Sequence, residues 1–260
     1  MGIIVDFRKN GDCIMAVRLD IELTESEKAA MAAIPSTSWF TQFIYRNAES
    51  PVHPNRKLAE NNEMKQAMVS DWVTESVKGK RVLDLFSANG GFSIMAALAG
   101  AKEVVGVEFS EERIKCAQFI ASTLKSDCKI EFIHGDVYQI ENYFDEPFDV
   151  VLCLGGLYHI ADPAFVLRQI GGLTKERLLM QTSQVLPIPG NWAKFIVRRQ
   201  DKTQGGMTSI RGGYGTWFYS PGCLRELLLH GGFDIVEERQ PSILKRQRFP
   251  WFFASCEPLT

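Results

Sequence analysis

Residues 82–91 read Val-Leu-Asp-Leu-Phe-Ser-Ala-Asn-Gly-Gly, an apolar run that ends in small residues and two glycines. The apolar part predicts a buried strand, and the small residues predict a tight turn into a helix that continues to Leu98. Such a turn lets a ligand approach the backbone closely, and the first N–H groups of the helix remain available to it. The stretch therefore predicts an α/β domain with a ligand site where its first strand ends.

From this stretch onward the sequence alternates between strand and helix patterns. Strands separated by helices favour right-handed crossovers and a parallel sheet that is covered on both faces. The last two strand patterns predict an antiparallel hairpin at the sheet edge. The predicted strands cover residues 81–86, 103–108, 129–133, 148–154, 177–183, 233–240 and 249–256. We predict an α/β fold with a doubly wound, mostly parallel, seven-stranded sheet in a Rossmann-like domain over residues 79–260.

Residues 1–78 predict an N-terminal extension that covers the cofactor or the substrate. Its first 23 residues alternate weakly around a turn and suggest a hairpin. Thr24 then begins a helix with Glu27 as its capping-box partner, and a second helix covers residues 58–77.

Carboxylates and glycines follow four successive strands of the predicted sheet. Asp84 lies in the first strand, Glu108 ends the second, Asp136 follows the third and Gly155 follows the fourth. In open α/β sheets ligands bind outside the carboxyl ends of the strands, so we expect these residues to line one site. Glu108 is placed to accept hydrogen bonds from both ribose hydroxyls of a nucleoside, and Asp136 to accept one from an adenine amino group.

An acidic residue after the second strand also suits a nicotinamide dinucleotide. Proteins that bind this cofactor typically carry the motif Gly-x-Gly-x-x-Gly, because their backbone must pack against a pyrophosphate. Here Phe86 and Ala88 stand where the first two glycines would be expected. Asp84 would repel a pyrophosphate but suits a cationic sulfonium or ammonium group, which disfavours the dinucleotide.

Residues 84–93, Asp-Leu-Phe-Ser-Ala-Asn-Gly-Gly-Phe-Ser, and residues 101–110, Ala-Lys-Glu-Val-Val-Gly-Val-Glu-Phe-Ser, together resemble the class I methyltransferases. The resemblance covers residues 80–184 well and the closing segment loosely. It implies S-adenosyl-L-methionine as the methyl donor and S-adenosyl-L-homocysteine as the product. The family's first loop usually reads Gly-x-Gly-x-Gly, of which only Gly90 and Gly91 remain. The resemblance implies a donor site made of Asp84, Phe86, Ser87, Ala88, Asn89, Gly90, Glu108, Phe109, Asp136, Val137, Leu154 and Gly155.

Tyr158 and His159 follow the fourth strand of the domain and are the candidate catalytic residues. Methyl transfer from a sulfonium mainly requires that the protein align the acceptor and exclude water. A general base helps when the acceptor is a hydroxyl or a protonated amine, and histidine titrates near neutrality. The structural alternative is that His159 caps the helix beginning at Asp162 and that Tyr158 packs against the sheet.

Substrate selection is expected from parts outside the core. The stretch 185–219, rich in Pro and Gly, predicts a long loop that stands over the site as a lid. Its arginines suit a carboxylate or phosphate and its aromatic residues suit a ring, although packing or solvation is the alternative for each. The candidate substrate contacts are Trp39, Arg56, Arg211 and Tyr214.

Two acceptor classes remain open. Residues 155–159 and 217–233 resemble the tRNA wobble-uridine carboxymethyltransferases, and similar tyrosine-histidine segments occur in methyltransferases of sugars and secondary metabolites. A net charge of −2 provides no general attraction for RNA, which favours a small-molecule acceptor over tRNA. A catalytically inactive binding protein of the same fold is a third hypothesis, which the intact Asp84, Glu108 and Asp136 disfavour.

The composition indicates an ordinary globular protein. Its six cysteines include no Cys-x-x-Cys pair and no histidine lies at a zinc-like spacing from them, so no metal is expected. No apolar run approaches the ~20 residues of a membrane span, and no signal peptide is evident. We therefore expect a cytoplasmic protein without a membrane partner, of unspecified oligomeric state.

Overall fold

The computed structural model describes residues 16–183, 189–198, 214–239 and 251–259. The helices and strands are β1 (Ala16–Arg18), α1 (Glu25–Ala33), β2 (Gln42–Ile44), α2 (Arg56–Ser76), β3 (Arg81–Leu85), α3 (Gly91–Leu98), β4 (Glu103–Glu108), α4 (Glu111–Thr123), β5 (Lys129–His134), β6 (Phe148–Leu154), α5 (Pro163–Leu173), β7 (Thr174–Ser183), β8 (Ala193–Arg198), β9 (Tyr214–Tyr219), α6 (Pro221–His230), β10 (Phe233–Arg239) and β11 (Trp251–Pro258). None of the described helices combines the length and the apolar character needed to cross a membrane.

Seven of the strands form one sheet in the order β10-β11-β7-β6-β3-β4-β5. Strands β3, β4 and β5 pair in parallel, as do β6 and β7, while β11 is antiparallel to both β7 and β10. The predicted mostly parallel, seven-stranded α/β sheet is therefore confirmed, including its antiparallel edge. Contacts within the chain divide it into two compact units, Met1–His134 and Gly135–Thr260. The predicted domain boundary between residues 78 and 79 stays a prediction.

The first unit places its parallel strands between helices. Val82, Leu83 and Leu85 are fully buried, as expected for a strand that is covered on both faces. The N-terminal segment belongs to the same core: Trp39 and Phe43 cluster with buried residues of α3 and α4. Thr24 caps α1 in the predicted capping box with Glu27.

In the second unit, β6 and β7 carry the parallel part of the sheet. Helix α5 begins at Pro163 behind its N-cap Asp162, and α6 begins at Pro221 behind its N-cap Ser220. Both helices thus start with a side-chain cap followed by proline at the first helical position, where its missing N–H costs nothing.

Two predictions about irregular regions need correction. Residues 193–198 and 214–219, predicted as parts of a long loop, form the antiparallel pair β8–β9. The Pro and Gly residues around them hid their strand patterns. Residues 16–18, predicted as part of a hairpin, form β1 and pair in parallel with β2, a strand too short for its pattern to show. The turn and first arm of that hairpin lie outside the described residues.

Candidate functional site

The loop that joins β3 to α3, residues 86–90, has an unusual backbone. Phe86 has φ +59°, Ala88 +49° and Gly90 +78°. Only glycine adopts such angles freely, and a side chain there costs about 1–3 kcal/mol. The two residues that occupy the expected glycine positions thus keep a glycine-like backbone, which neighbouring groups must hold in place.

Hydrogen bonds to β4 and within the turn hold this loop. The Ser87 N–H donates to the Val107 carbonyl over 3.1 Å, and the Gly90 N–H donates to the Ser87 carbonyl over 2.8 Å. The Ala88 N–H donates to Oε2 of Glu108 over 3.0 Å. Glu108 follows Ala88 by 20 residues in the sequence. The parallel pairing of β3 with β4 brings the carboxylate to the loop.

Glu108 is buried at the end of β4 and accepts three hydrogen bonds. Besides Ala88, its Oε1 receives the Ser110 N–H over 2.9 Å and Nη1 of Arg113 over 3.4 Å. The Arg113 guanidinium lies 4.5 Å from the centre of the Phe40 ring. Phe109, the next residue, is one of the exposed large apolar side chains, and its carbonyl bonds the His134 ring over 2.8 Å.

Asp84 is buried inside β3, one strand away from Glu108. Burial raises the pKa of its carboxyl to about 7, and the negative charge of Glu108 acts in the same direction. The Ser93 hydroxyl donates to its Oδ2 over 2.6 Å and opposes this shift in part. The buried surroundings of Asp84 thus disfavour a lone negative charge and would favour a bound cation.

The second unit holds the other predicted donor contacts. Asp136 accepts the Tyr138 N–H over 3.0 Å and caps the 3-10 helix Val137–Asn142. Leu154 is buried at the end of β6, and Gly155 follows with φ +116°. The Gly155 N–H donates to the Gln181 carbonyl of β7 over 3.2 Å.

Tyr158 and His159 lie in the 3-10 helix Leu157–His159, with their ring centres 4.1 Å apart. Both side chains are half-buried, and Tyr158 also meets Trp251 edge-on at 6.1 Å. Burial raises the pKa of Tyr158 far above its usual value, so its hydroxyl remains protonated at neutral pH. The α5 cap is Asp162 itself, which accepts the Phe165 N–H, so His159 is not needed as a cap.

The structure describes the side chains of two candidate substrate contacts, Trp39 and Arg56. Trp39 is 1% exposed in the core of the first unit. Arg56 lies at the surface, where its Nε donates to Glu60 over 2.8 Å. Tyr214 begins β9, and its side chain, like all of Arg211, lies outside the described part of the chain. Contact of these residues with a substrate stays a prediction.

The sequence pattern did not indicate a role in the site for three polar residues, Ser93, Thr41 and Gln181. Ser93 bonds Asp84, and Thr41 exchanges hydrogen bonds with Asn89, 48 residues away. Gln181 of β7 is fully buried, and neither atom of its carboxamide has a hydrogen-bond partner within the described structure. Pairing of this kind depends on the fold, so local patterns do not reveal it.

Comparison with known proteins agrees with this geometry. The model of the methyltransferase domain family matches residues 76–211, just over half of the chain. A ubiquinone biosynthesis O-methyltransferase of Bordetella bronchiseptica is 32% identical over 127 residues, which cover 48% of this chain and 46% of that protein. The chain thus spans about half the length of this curated relative.

Two solved structures share the fold. The N-terminal domain of EvdMO1, in the presence of S-adenosylhomocysteine and D-fucose, gives a TM-score of 0.65 at 16% identity, covering 92% of this chain and 98% of that one. The 1,6-didemethyltoxoflavin-N1-methyltransferase of Burkholderia thailandensis, with that compound and S-adenosylhomocysteine bound, gives 0.59 at 15% identity, covering 94% and 95%. The family match and the seven-stranded fold show that this chain belongs to the class I methyltransferases, as its sequence predicts.

Proposed function

We propose that this chain transfers the methyl group of S-adenosylmethionine to an oxygen or nitrogen atom of a small-molecule acceptor and releases S-adenosylhomocysteine. The observation that carries the proposal is the pair of buried carboxyl groups, Asp84 within β3 and Glu108 at the end of the neighbouring β4, beside a glycine-like loop. Asp84 lies where a positive charge would relieve an unfavourable environment. A pyrophosphate would instead add negative charge, which argues against a dinucleotide.

The residues of the first unit fit such a donor. A carboxylate has about four lone-pair positions, and Glu108 uses three of them. The fourth position can accept a hydrogen bond from a ribose hydroxyl while the contact with Arg113 is kept. The glycine-like backbone of residues 86–90 allows the close approach that a bound nucleoside requires.

When bound, the donor supplies an electrophilic methyl group, and the side chains supply alignment and proton transfer. An acceptor hydroxyl that attacks this group loses its proton. We assign that proton to an imidazole nitrogen of His159, since Asp162 already caps α5 and Tyr158 stays protonated. Tyr158 can then donate a hydrogen bond to the acceptor but cannot serve as the base.

Gln181 is the proposed polar contact of the acceptor. Its two unpaired amide atoms are costly to bury, so a ligand group that both donates and accepts would stabilise the site. Gln181→Leu should raise the KM of the acceptor and leave the Kd of the donor unchanged. If Gln181→Leu weakens donor binding as much as it raises the KM of the acceptor, Gln181 is not a specific contact of the acceptor.

A small-molecule acceptor is supported by the net charge of −2 and by the compounds named for the O- and N-methyltransferases described above. The alternative is a tRNA acceptor, and a second alternative is an inactive binding protein. Calorimetry with S-adenosylmethionine tests the enzyme proposal first, since no binding at millimolar donor would overturn it. Mass spectrometry of small metabolites and of bulk tRNA, each incubated with enzyme and donor, then separates the two acceptor classes.

A further inference from the structure

We propose that the dipeptide Phe40–Thr41 is part of the donor site and that Asn89 is the positioning residue that holds it against loop 86–90. The inference rests on the proposed donor, S-adenosylmethionine, and adds to it a segment that precedes the sheet by about forty residues. All of the residues concerned lie in the first unit.

Asn89 exchanges two hydrogen bonds with the backbone of Thr41. The Thr41 N–H donates to Oδ1 over 3.0 Å, and Nδ2 donates to the Thr41 carbonyl over 2.9 Å. Asn89 is fully buried and Thr41 nearly so, which means that water cannot replace either bond. Losing the side chain would leave two buried backbone groups unsatisfied.

Helices α2 and α3 fix the other side of Thr41. Its Oγ1 accepts Nε2 of Gln66 over 2.7 Å and Nδ2 of Asn62 over 3.0 Å. Gly91, the first residue of α3, lies so close that a Cβ atom there would collide with the Thr41 hydroxyl. Thr41 therefore packs directly against Gly91, where the helix that follows loop 86–90 begins.

Phe40 connects the same dipeptide to Glu108. The guanidinium of Arg113, which bonds Glu108, lies over its ring, and the His53 ring centre is 5.0 Å from the Phe40 ring centre. Glu108 in turn holds the Ala88 N–H. Two sets of contacts thus connect the dipeptide to Ala88. Thr41 is bonded to Asn89, the residue after Ala88, and Phe40 contacts Arg113, which bonds Glu108.

Ala88 needs this support because its φ of +49° is unfavourable for a residue with a side chain. A glycine would adopt the same angle freely, and the loop would then depend less on its neighbours. We infer that the contacts of Asn89 and Glu108 replace the missing glycine by fixing the backbone in the donor-binding conformation. Asn89 acts through Ala88 and Thr41 and needs no contact with the donor itself.

The test compares Asn89→Ala with Asn47→Ala. Asn47 makes the same exchange of two hydrogen bonds, with the backbone of Leu23 and at an exposed position. Both variants should lower the Tm, but only Asn89→Ala should raise the Kd of S-adenosylmethionine, by tenfold or more, while Asn47→Ala stays within twofold of the parent. An unchanged Kd in Asn89→Ala, or an equal rise in both variants, would overturn the inference.

A second variant separates positioning from general loss of structure. Adding Ala88→Gly to Asn89→Ala should recover at least threefold of the lost donor affinity, because the loop no longer needs the same support. If Asn89→Ala does not fold, Asn89→Asp replaces it, since aspartate keeps the acceptor for Thr41 and loses the donor. No recovery by Ala88→Gly contradicts the inference. Failure of the unsubstituted protein to bind S-adenosylmethionine would instead contradict the proposed function.

Discussion

Asp84 is the residue whose charge links donor binding to pH. Its carboxyl is neutral well below its raised pKa of about 7 and negative above it, and only the negative form attracts the cationic donor. Donor affinity should therefore rise roughly tenfold between pH 6 and pH 8 and then level off. Calorimetry at several pH values measures this, and Asp84→Asn should bind more weakly with a flat profile. A pH slope that survives in Asp84→Asn would assign the titration to another group.

The same carboxyl should have the opposite effect on the stability of the donor-free protein. Because its folded pKa lies above the unfolded value of 3.8, its contribution to stability is complete below about pH 4 and is lost as pH rises through about 7. The gain in Tm caused by saturating donor should consequently be larger at pH 8 than at pH 6. The Ser93 hydroxyl moderates this effect through its bond to Asp84.

Ala88 offers a test of backbone strain in the intact protein. Ala88→Gly should raise the free energy of unfolding by about 1 kcal/mol, because it removes the cost of a positive φ. Gly90→Ala is the matched opposite: φ is also positive there, and its Cβ would come within 2.9 Å of the Phe132 ring. Urea unfolding of both variants measures the difference. A loss of stability in Ala88→Gly would show that the loop carries no such strain.

At the scale of elements, strand β4 presents a carboxylate at each end with different expected roles. Glu108 at the carboxyl end holds the loop, whereas Glu103 at the amino end bonds Arg81 and Lys129. Glu108→Gln should weaken donor binding by about 10- to 100-fold, since hydrogen bonds to charged groups contribute roughly 1.5–3 kcal/mol. Glu103→Gln should lower the Tm modestly and leave the donor Kd unchanged. If the two variants have similar Kd values for the donor, the assignment of Glu108 to the donor site is wrong.

The turn after β6 carries the prediction about catalysis. His159→Ala should lower kcat for a hydroxyl acceptor by about 10²- to 10⁴-fold and leave the donor Kd unchanged, as expected for loss of a general base. Tyr158→Phe keeps the ring that packs on His159 and Trp251 and serves as the control, with a smaller effect on kcat. Unchanged turnover in His159→Ala would assign the proton to another group.

Periodicity predicted the regular elements well and the irregular ones poorly. The bounds of β4 and β6 were readable because continuous apolar runs end sharply at Glu108 and Gly155. Strands β8 and β9 were missed because their pairing joins segments separated along the chain, and β8 includes exposed Phe195 and Ile196 that gave no buried pattern. The role of Asn89 was equally hidden, since its partner Thr41 is 48 residues away.

At the scale of the whole molecule, the charge distinguishes the acceptor classes. The chain carries 29 basic and 31 acidic residues, so it presents no general positive field to a polyanion. A protein that binds RNA through 6–10 phosphate contacts loses roughly 10³- to 10⁵-fold in affinity between 50 and 200 mM salt. A small acceptor makes few ionic contacts, so the KM of the acceptor identified by mass spectrometry should change less than about threefold over the same range. Turnover on bulk tRNA that collapses with salt, with none on small metabolites, would reverse the choice of acceptor.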